Sequence, residues 1–189
     1  NFNVSGYQVV KNNEDNKTTP TTLPYISYSF GDRSFKETKY KNNLIFYNIF
    51  RDSSTDDHAK KQQKFSHVLK TDNEFYSLYS KFNFKTEFHS QFYNTEKIKI
   101  NSIDHSGGYE RFFPMTGLFF ETPLVNIKKN LYITPKVSLI INGSQPNSNQ
   151  ISNEESTNNT YNLLNNNILN RYTGSDKLDN SQRINYGIE

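Results

Sequence analysis

The sequence predicts an all-β, antiparallel, up-and-down fold. Three observations carry that prediction: two-residue alternation in a phenylalanine-rich segment, a repeated rhythm of strands and breakers, and connectors that alternate between long and short. In FNFKTEFHSQF, residues 82–92, Phe82, Phe84, Phe88 and Phe92 fall on even positions, with Asn83, Lys85, Glu87, His89 and Gln91 between them. Successive strand side chains point to opposite faces, so this segment has an aromatic face and a polar one. A helix, at about 3.6 residues per turn, would scatter the same rings around its cylinder. The segment also matches the length of a tilted bilayer-crossing strand, about 9–11 residues.

The same reading gives the other elements in order. Strands are expected at Val4–Val10, Leu23–Phe30, Lys39–Arg51, Gln62–Tyr76, Phe82–Tyr93, Tyr109–Val125 and Asn130–Asn142, with a last one opening near Arg183. In Asn130–Asn142, Leu131, Ile133, Val137, Leu139 and Ile141 alternate with Asn130, Thr134, Lys136 and Ser138. Pro114 and Pro135 each remove a ladder hydrogen bond and are expected at bulges or at ends of pairing.

The connectors 11–22, 52–61, 94–108 and 143–165 read as long, and 31–38, 77–81 and 126–129 as shorter. Membrane barrels sort their loops this way, with tight periplasmic turns and long external loops, whereas a β-sandwich has no reason to. The expectation is therefore an incomplete run of roughly eight strands of one antiparallel up-and-down transmembrane β-barrel domain, covering residues 1–189. The polar stretch SQPNSNQISNEESTNNT reads as a solvent-exposed loop or, equally, as disorder.

Composition narrows the class without choosing it. Hydrophobic residues are only 33% and mean hydropathy is −0.86. That fits either a soluble or partly disordered β-protein or a barrel whose lumen and loops are polar. Aromatic residues at 15% favour strands and oppose disorder. The net charge of +3, spread among acids, gives no footprint for nucleic acid. With no cysteine, disulfides and thiolate metal sites are excluded within these residues. No apolar run is long enough for a transmembrane helix. The chain opens at Asn1 without a leader and stops at Glu189 within an apparent strand, so it reads as an internal piece of a longer protein from a Gram-negative bacterium with an AT-rich genome.

Candidate chemistry is sparse. His58, His67, His89 and His105 have no metal-ligand spacing. Asp104, His105 and Ser106 are adjacent on the chain and cannot form a hydrogen-bonded triad. The acid pairs Asp56/Asp57 and Glu154/Glu155 read as solvated loop carboxylates. No enzyme, cofactor or metal is expected. Lys85, Glu87 and His89 would be costly against lipid and imply a watery lumen.

Two runs near the C-terminus carry a resemblance: ISNEES, Ile151–Ser156, and NILNRYTGSDKLDNSQRINYGIE, Asn167–Glu189. Asn153, Glu154, Glu155 and Ser156, then Arg171, Tyr172, Gly174 and Asp176, then Arg183, Tyr186 and Gly187 are similar to successive motifs of the β-barrel domain of the lipopolysaccharide-assembly protein LptD (OstA/Imp) family. LPYISYSF and ERFFPMTGLFFETPLVN resemble other stretches of that barrel. The chain departs from the family pattern in Lys177, where an arginine is common, and in lacking tryptophan.

The resemblance implies a cell outer-membrane exporter that moves lipopolysaccharide through a laterally opening barrel. Its implied partners are a plug lipoprotein (LptE-like), a periplasmic bridge (LptA-like) and outer-membrane lipid, with no nucleic acid. Under it, Phe82, Phe84, Phe88 and Phe92 face lipid and Lys85, Glu87 and His89 face the lumen. Arg171, Asp176 and Arg183 form charge pairs and turns that fix a loop over the lumen, and Gly174 supplies a positive φ. A general outer-membrane porin and a soluble β-sandwich binding module are the alternatives.

Overall fold

The computed structural model describes residues 2–6, 16–35, 38–126, 128, 130–145, 147–157 and 168–189. The described residues are strands and connectors, with one short 3-10 turn at Asn16–Thr18 and no α-helix. The strands are β1 Phe2–Gly6, β2 Thr21–Phe35, β3 Thr38–Phe50, β4 Lys61–Ser77, β5 Ser80–Ile100 and β6 Ile103–Glu121. They continue as β7 Leu124–Asn126, β8 Leu131–Ile133, β9 Pro135–Asn142 and β10 Gln182–Ile188.

Eight of them form one antiparallel sheet in the order β1-β2-β3-β4-β5-β6-β9-β10, and β7 and β8 form a separate hairpin. The sheet is open, with β1 and β10 at its edges. All-β antiparallel architecture is thus established, and closure into a barrel is not.

Register fixes the two faces. Phe46 pairs with Phe65, Phe65 with Phe92, Leu69 with Phe88, and Phe88 with Pro114. Leu118 pairs with both Phe84 and Leu139, which puts β6 and β9 in phase with β5. On the opposite face Tyr47 pairs with Lys64, Lys64 with Tyr93, and Val68 with His89.

Several expectations are corrected. Residues 94–108 are not a long loop, because β5 and β6 continue as a paired ribbon to a two-residue turn at Asn101 and Ser102. Both turn residues have positive φ, the conformation that matches strand twist in a tight hairpin. The backbone ladder needs no apolar side chains, so this polar extension lacked the alternation that marks the rest. Expected strand Asn130–Asn142 breaks at Thr134, leaving β8 and then β9, which begins at Pro135. Pro114 stays paired with Phe88, and on its other side β9 pairing stops one residue away, at Met115. In the first expected strand, residues 7–10 lie outside the described residues, as do 11–15 of the connector after it.

Antiparallel order places connectors 36–37, 78–79 and 122–134 at one end of the sheet. Connectors 51–60 and 143–181 lie at the other, with the 101–102 turn.

Candidate functional site

The polar face, not the apolar one, is the buried face. Gln62, Lys64, Ser66, His89, Gln91, Thr95 and Arg111 are buried, while Phe65, Phe92, Phe112, Leu118, Leu139 and Ile141 are exposed. Phe84 and Phe88 are 38% and 42% exposed. Phe82 shares their face and packs its ring 4.9 Å from that of Phe120. Phe92 packs edge-on against Phe112 at 5.8 Å. On this face no Lys, Arg, Asp or Glu falls between Lys61 and Ser77 of β4, between Ser80 and Glu96 of β5, or between Glu110 and Phe120 of β6. Some of its polar groups satisfy one another, as in His67 Nε2 with Asn42 Oδ1 at 2.9 Å and Thr71 with Thr86 at 2.7 Å.

What buries the polar face is the connector between β9 and β10. Its described segments, 147–157 and 168–181, lie across β3 to β6 and β9. Leu169 and Leu178 pack with Phe113, Met115 and Ile140 into a small apolar core. Leu169 rests where a side chain at Gly117 would stand, its Cδ2 2.6 Å from a Cβ built there. Asn142 donates to the Leu169 carbonyl at 3.1 Å.

Asp176 is the hub of the polar contact. Its Oδ1 accepts from Lys64 Nζ at 2.7 Å, Tyr93 OH at 3.2 Å and Tyr47 OH at 3.3 Å. Its Oδ2 accepts from the backbone N–H groups of Glu154 at 2.9 Å and Glu155 at 3.1 Å. Lys64, with a side chain 0% exposed, also pairs with Glu155 and donates to Ser175 Oγ at 2.8 Å.

Arg111 donates to Gln91 Oε1 at 2.8 Å and to the Asp176 carbonyl at 3.0 Å. Arg51 forks onto Glu154, with Nη1 2.9 Å from Oε1, and donates from Nε to the Thr18 carbonyl at 2.9 Å. Gln62 meets the backbone of Ser152 like a neighbouring strand, donating to its carbonyl at 2.9 Å and accepting from its N–H at 2.8 Å. Three cations, Arg51, Lys64 and Arg111, thus stand among three carboxylates, Glu154, Glu155 and Asp176.

The loop's own turns follow from its residues. Asn153 Oδ1 accepts from Ser156 N at 3.1 Å, and Ser156 Oγ accepts from the N–H groups of Asp176 and Lys177, both at 2.9 Å. Gly174 has φ +70°, and a Cβ there would come 2.6 Å from the Glu155 carbonyl oxygen. Conformation and space both demand glycine.

Burial pushes the carboxyl of Glu154 up, but the nearby His58, 3.8 Å away, and hydrogen bonds from Arg51 and Ser152 outweigh it and hold the group down at about 2. Burial also opposes ionisation of Glu155, and the Lys64 charge brings it below the ordinary range. Asp176 is pushed above the ordinary range by burial, against the pull of Lys64 and with the neighbouring Glu155 adding to the rise. Asp179, raised by burial and lowered more by Arg171, Ser181 and Arg183, lies at about 2.

Asn153, Glu154, Glu155, Ser156, Gly174 and Asp176 are therefore brought together. Arg171 and Arg183 are not part of that cluster. They converge on Asp179, with Arg171 Nε 2.7 Å from Oδ2 and Arg183 bonded to the same oxygen. Tyr172 is half-buried beside them, its N–H donating to Asn170 Oδ1 at 3.3 Å. Tyr186 and Gly187 lie on β10, exposed and outside both clusters. Lys85, Glu87 and His89 share the polar face, where Glu87 bonds His89 Nε2 at 3.2 Å and Lys70 Nζ at 3.0 Å.

The expectation that Glu154 and Glu155 are solvated fails, as does the exposed or disordered reading of residues 151–157. Each carboxylate has a cation waiting on the sheet. Sequence reasoning missed those cations, Arg51, Lys64 and Arg111, and also Asp179. A signal existed in β4, where Gln62, Lys64 and Ser66 repeat on the face opposite Phe65, and in β6, where Arg111 interrupts an aromatic run. No group of residues among those described could hold a metal ion. With its carboxylates and cations all engaged, the cluster is built to fasten a loop. Neither a protein-family model nor a curated protein matches the chain.

Proposed function

We propose that the chain is a section of an outer-membrane β-barrel of the LptD type, which moves lipopolysaccharide into the outer leaflet through a laterally opening wall. The observation that carries this reading is the inverted burial of the sheet: charges lie under a loop and phenylalanines lie outside. In water such an arrangement leaves a large apolar patch uncovered, whereas against lipid it is the stable one. From Phe82 to Phe92 the chain rises ~34 Å at ~3.4 Å per residue, which at a tilt of ~35–45° spans ~24–28 Å, close to the apolar band of about 25 Å in such barrels.

The more specific part rests on the resemblance. Most of its motif residues meet in one loop that closes over the polar face, and a plugged lumen suits a guarded lipid exporter better than an open diffusion pore. In this reading Phe82, Phe84, Phe88 and Phe92 contact lipid, while Lys85, Glu87 and His89 contact lumen water and the passing saccharide. The partners are lipopolysaccharide, a plug lipoprotein and a periplasmic bridge protein.

The test is depletion of the full-length protein in its source, with surface lipopolysaccharide and membrane fractionation as readouts. Loss of outer-leaflet lipopolysaccharide, with the protein in the outer-membrane fraction, is expected. Normal surface lipopolysaccharide with lost small-solute uptake would give a porin instead. Recovery of the protein in the soluble fraction without detergent would end the membrane reading.

A further inference from the structure

Outside the loop, the polar face towards the 78–79 turn is open and carries an unbalanced lattice of charge. Register sets two rows across β3, β4 and β5. In one, Lys41 stands opposite Lys70, and Lys70 opposite Glu87. In the next, Lys39 stands opposite Asp72, and Asp72 opposite Lys85. The six side chains line one cavity of about 340 Å³.

The lattice holds four cations and two carboxylates, and both carboxylates are already engaged. Glu87 lies 3.0 Å from Lys70, and Asp72 lies 3.8 Å from Lys85. Lys39 and Lys41 make no ion pair among the described residues, and the one further carboxylate whose charge Lys39 feels, Glu74, is already paired with Lys81. Like charges placed directly across strands destabilise a sheet, because Cβ atoms there are only about 4.5–5.5 Å apart. Elsewhere on this face charges alternate, as where Lys81 stands opposite Glu121 and Glu121 opposite Lys136. The Lys41/Lys70 pair breaks that rule at an accessible place, and an anion between the ammonium groups would relieve its repulsion.

We infer that Lys39, Lys41, Lys70 and Lys85 form an anion-binding shelf on the polar face that takes a phosphorylated saccharide. Lysine fits this role as a compact point charge with three donors. A cavity of this volume admits a phosphate with one attached sugar. The charge lattice carries the binding of an anion, and the choice of a phosphorylated saccharide as that anion rests on the lipopolysaccharide reading above.

The experiment measures binding to the purified full-length protein in detergent by calorimetry. The probes are inorganic pyrophosphate, a bisphosphorylated glucosamine disaccharide without acyl chains, and the same disaccharide dephosphorylated. The K39Q/K41Q variant is expected to weaken the bisphosphorylated probe by about tenfold or more. K97Q/K99Q, which removes the same charge at the far end of β5, is expected to leave it unchanged. The dephosphorylated sugar is expected not to bind.

Comparable binding of pyrophosphate would support a shelf that reads free phosphate, and binding of the disaccharide alone would support one that reads the saccharide conjugate. Equal losses in the two variants, or none in K39Q/K41Q, would overturn the inference. K41E supplies a second check, since it places a carboxylate opposite Lys70. It is expected to raise the thermal midpoint by about 1–3 °C while abolishing anion binding. Failure to lower binding in a folded K41E protein would also overturn the inference. Because binding is read on isolated protein, its outcome is separate from that of the depletion experiment.

Discussion

Lys64→Met tests whether the loop between β9 and β10 is fastened by charge. Methionine keeps the unbranched stem of the side chain, one atom shorter, and removes the ammonium, which pairs with Glu155 and donates to Asp176 at 2.7 Å and Ser175 at 2.8 Å. Asp176 and Glu155 would then be left without their nearest cation. Breaking a buried pair by deleting one partner costs about 3–5 kcal/mol. Asp176, already pushed upward by burial, trims part of that cost by taking up a proton. A loss of about 3 kcal/mol in loop docking raises the open population by about a hundredfold, at roughly 1.4 kcal/mol per decade.

Hydrogen exchange reads this directly at the backbone N–H groups of Glu154 and Glu155, which donate to Asp176. In the variant they should exchange about a hundredfold faster, while amides at the β4–β5 pairing stay protected. The double change K64M/D176N, which removes the ammonium and the charge it meets at 2.7 Å while leaving an amide oxygen to accept from these N–H groups, should recover part of the protection. Unchanged exchange in K64M would refute the charge-fastened loop, and so would a double variant no better than the single one.

The remaining expectations concern the same loop and the opposite face. Glu154, held at about 2 against an ordinary 4.5, contributes about 3 kcal/mol that is fully present above the ordinary value and fades as pH falls towards 2. Asp179, also depressed, acts in the same direction, and Asp176, raised, acts in the opposite one. Proteolytic cutting within 143–181 should therefore accelerate below about pH 4, and acceleration on raising pH from 5 to 8 would contradict the sign. Gly174→Ala must hold a positive φ and displace the Glu155 carbonyl, at a cost of about 1–3 kcal/mol, visible as faster cutting of the loop with the sheet intact. Phe88→Lys places a charge on the outward face and should cost about 2–4 kcal/mol if that face meets lipid, measured as the fraction folded into vesicles. Glu96→Lys, beyond the charge-free zone, should cost little, and equal effects of the two would count against the membrane reading.

Much of the sheet was legible because alternation is a local signal. The phase of Phe82 to Phe92, and of Val137 to Ile141, told which residues share a face, whereas Leu131 and Ile133 belong to the separate hairpin. Alternation does not tell which face is covered. Lys64 and Asp176 are 112 residues apart in sequence, and no pattern within either segment names the other. Glu154 and Glu155 therefore resembled ordinary solvated acids, although Glu154 answers Arg51, just past the end of β3, and Glu155 answers Lys64 on β4. Arg171 and Arg183 were expected to form charge pairs in company with Asp176, but the acid they meet is Asp179, whose place between them becomes visible only when the chain turns back into β10. The ribbon at 94–108 was missed for the opposite reason, since its pairing is carried by backbone groups that leave no mark on side-chain type.

The two halves of the polar face then assign a direction to anything that moves along it in the proposed barrel. Near the 51–60 connector the face is sealed by matched charges, with Arg51, Lys64 and Arg111 all engaged by the loop. Near the 78–79 turn it is open, and Lys39 and Lys41 make no ion pair among the described residues. An anionic solute arriving at the open half meets attraction first and then a neutral, hydrogen-bonded wall. Passage beyond that wall requires an anion to compete with Glu155 and Asp176 for Lys64, or the loop to swing away as one body. The two routes differ in what Lys64→Met does: it speeds passage if the loop must open, and it slows passage if Lys64 must first receive the anion. Comparing transport and loop exchange in that variant separates them.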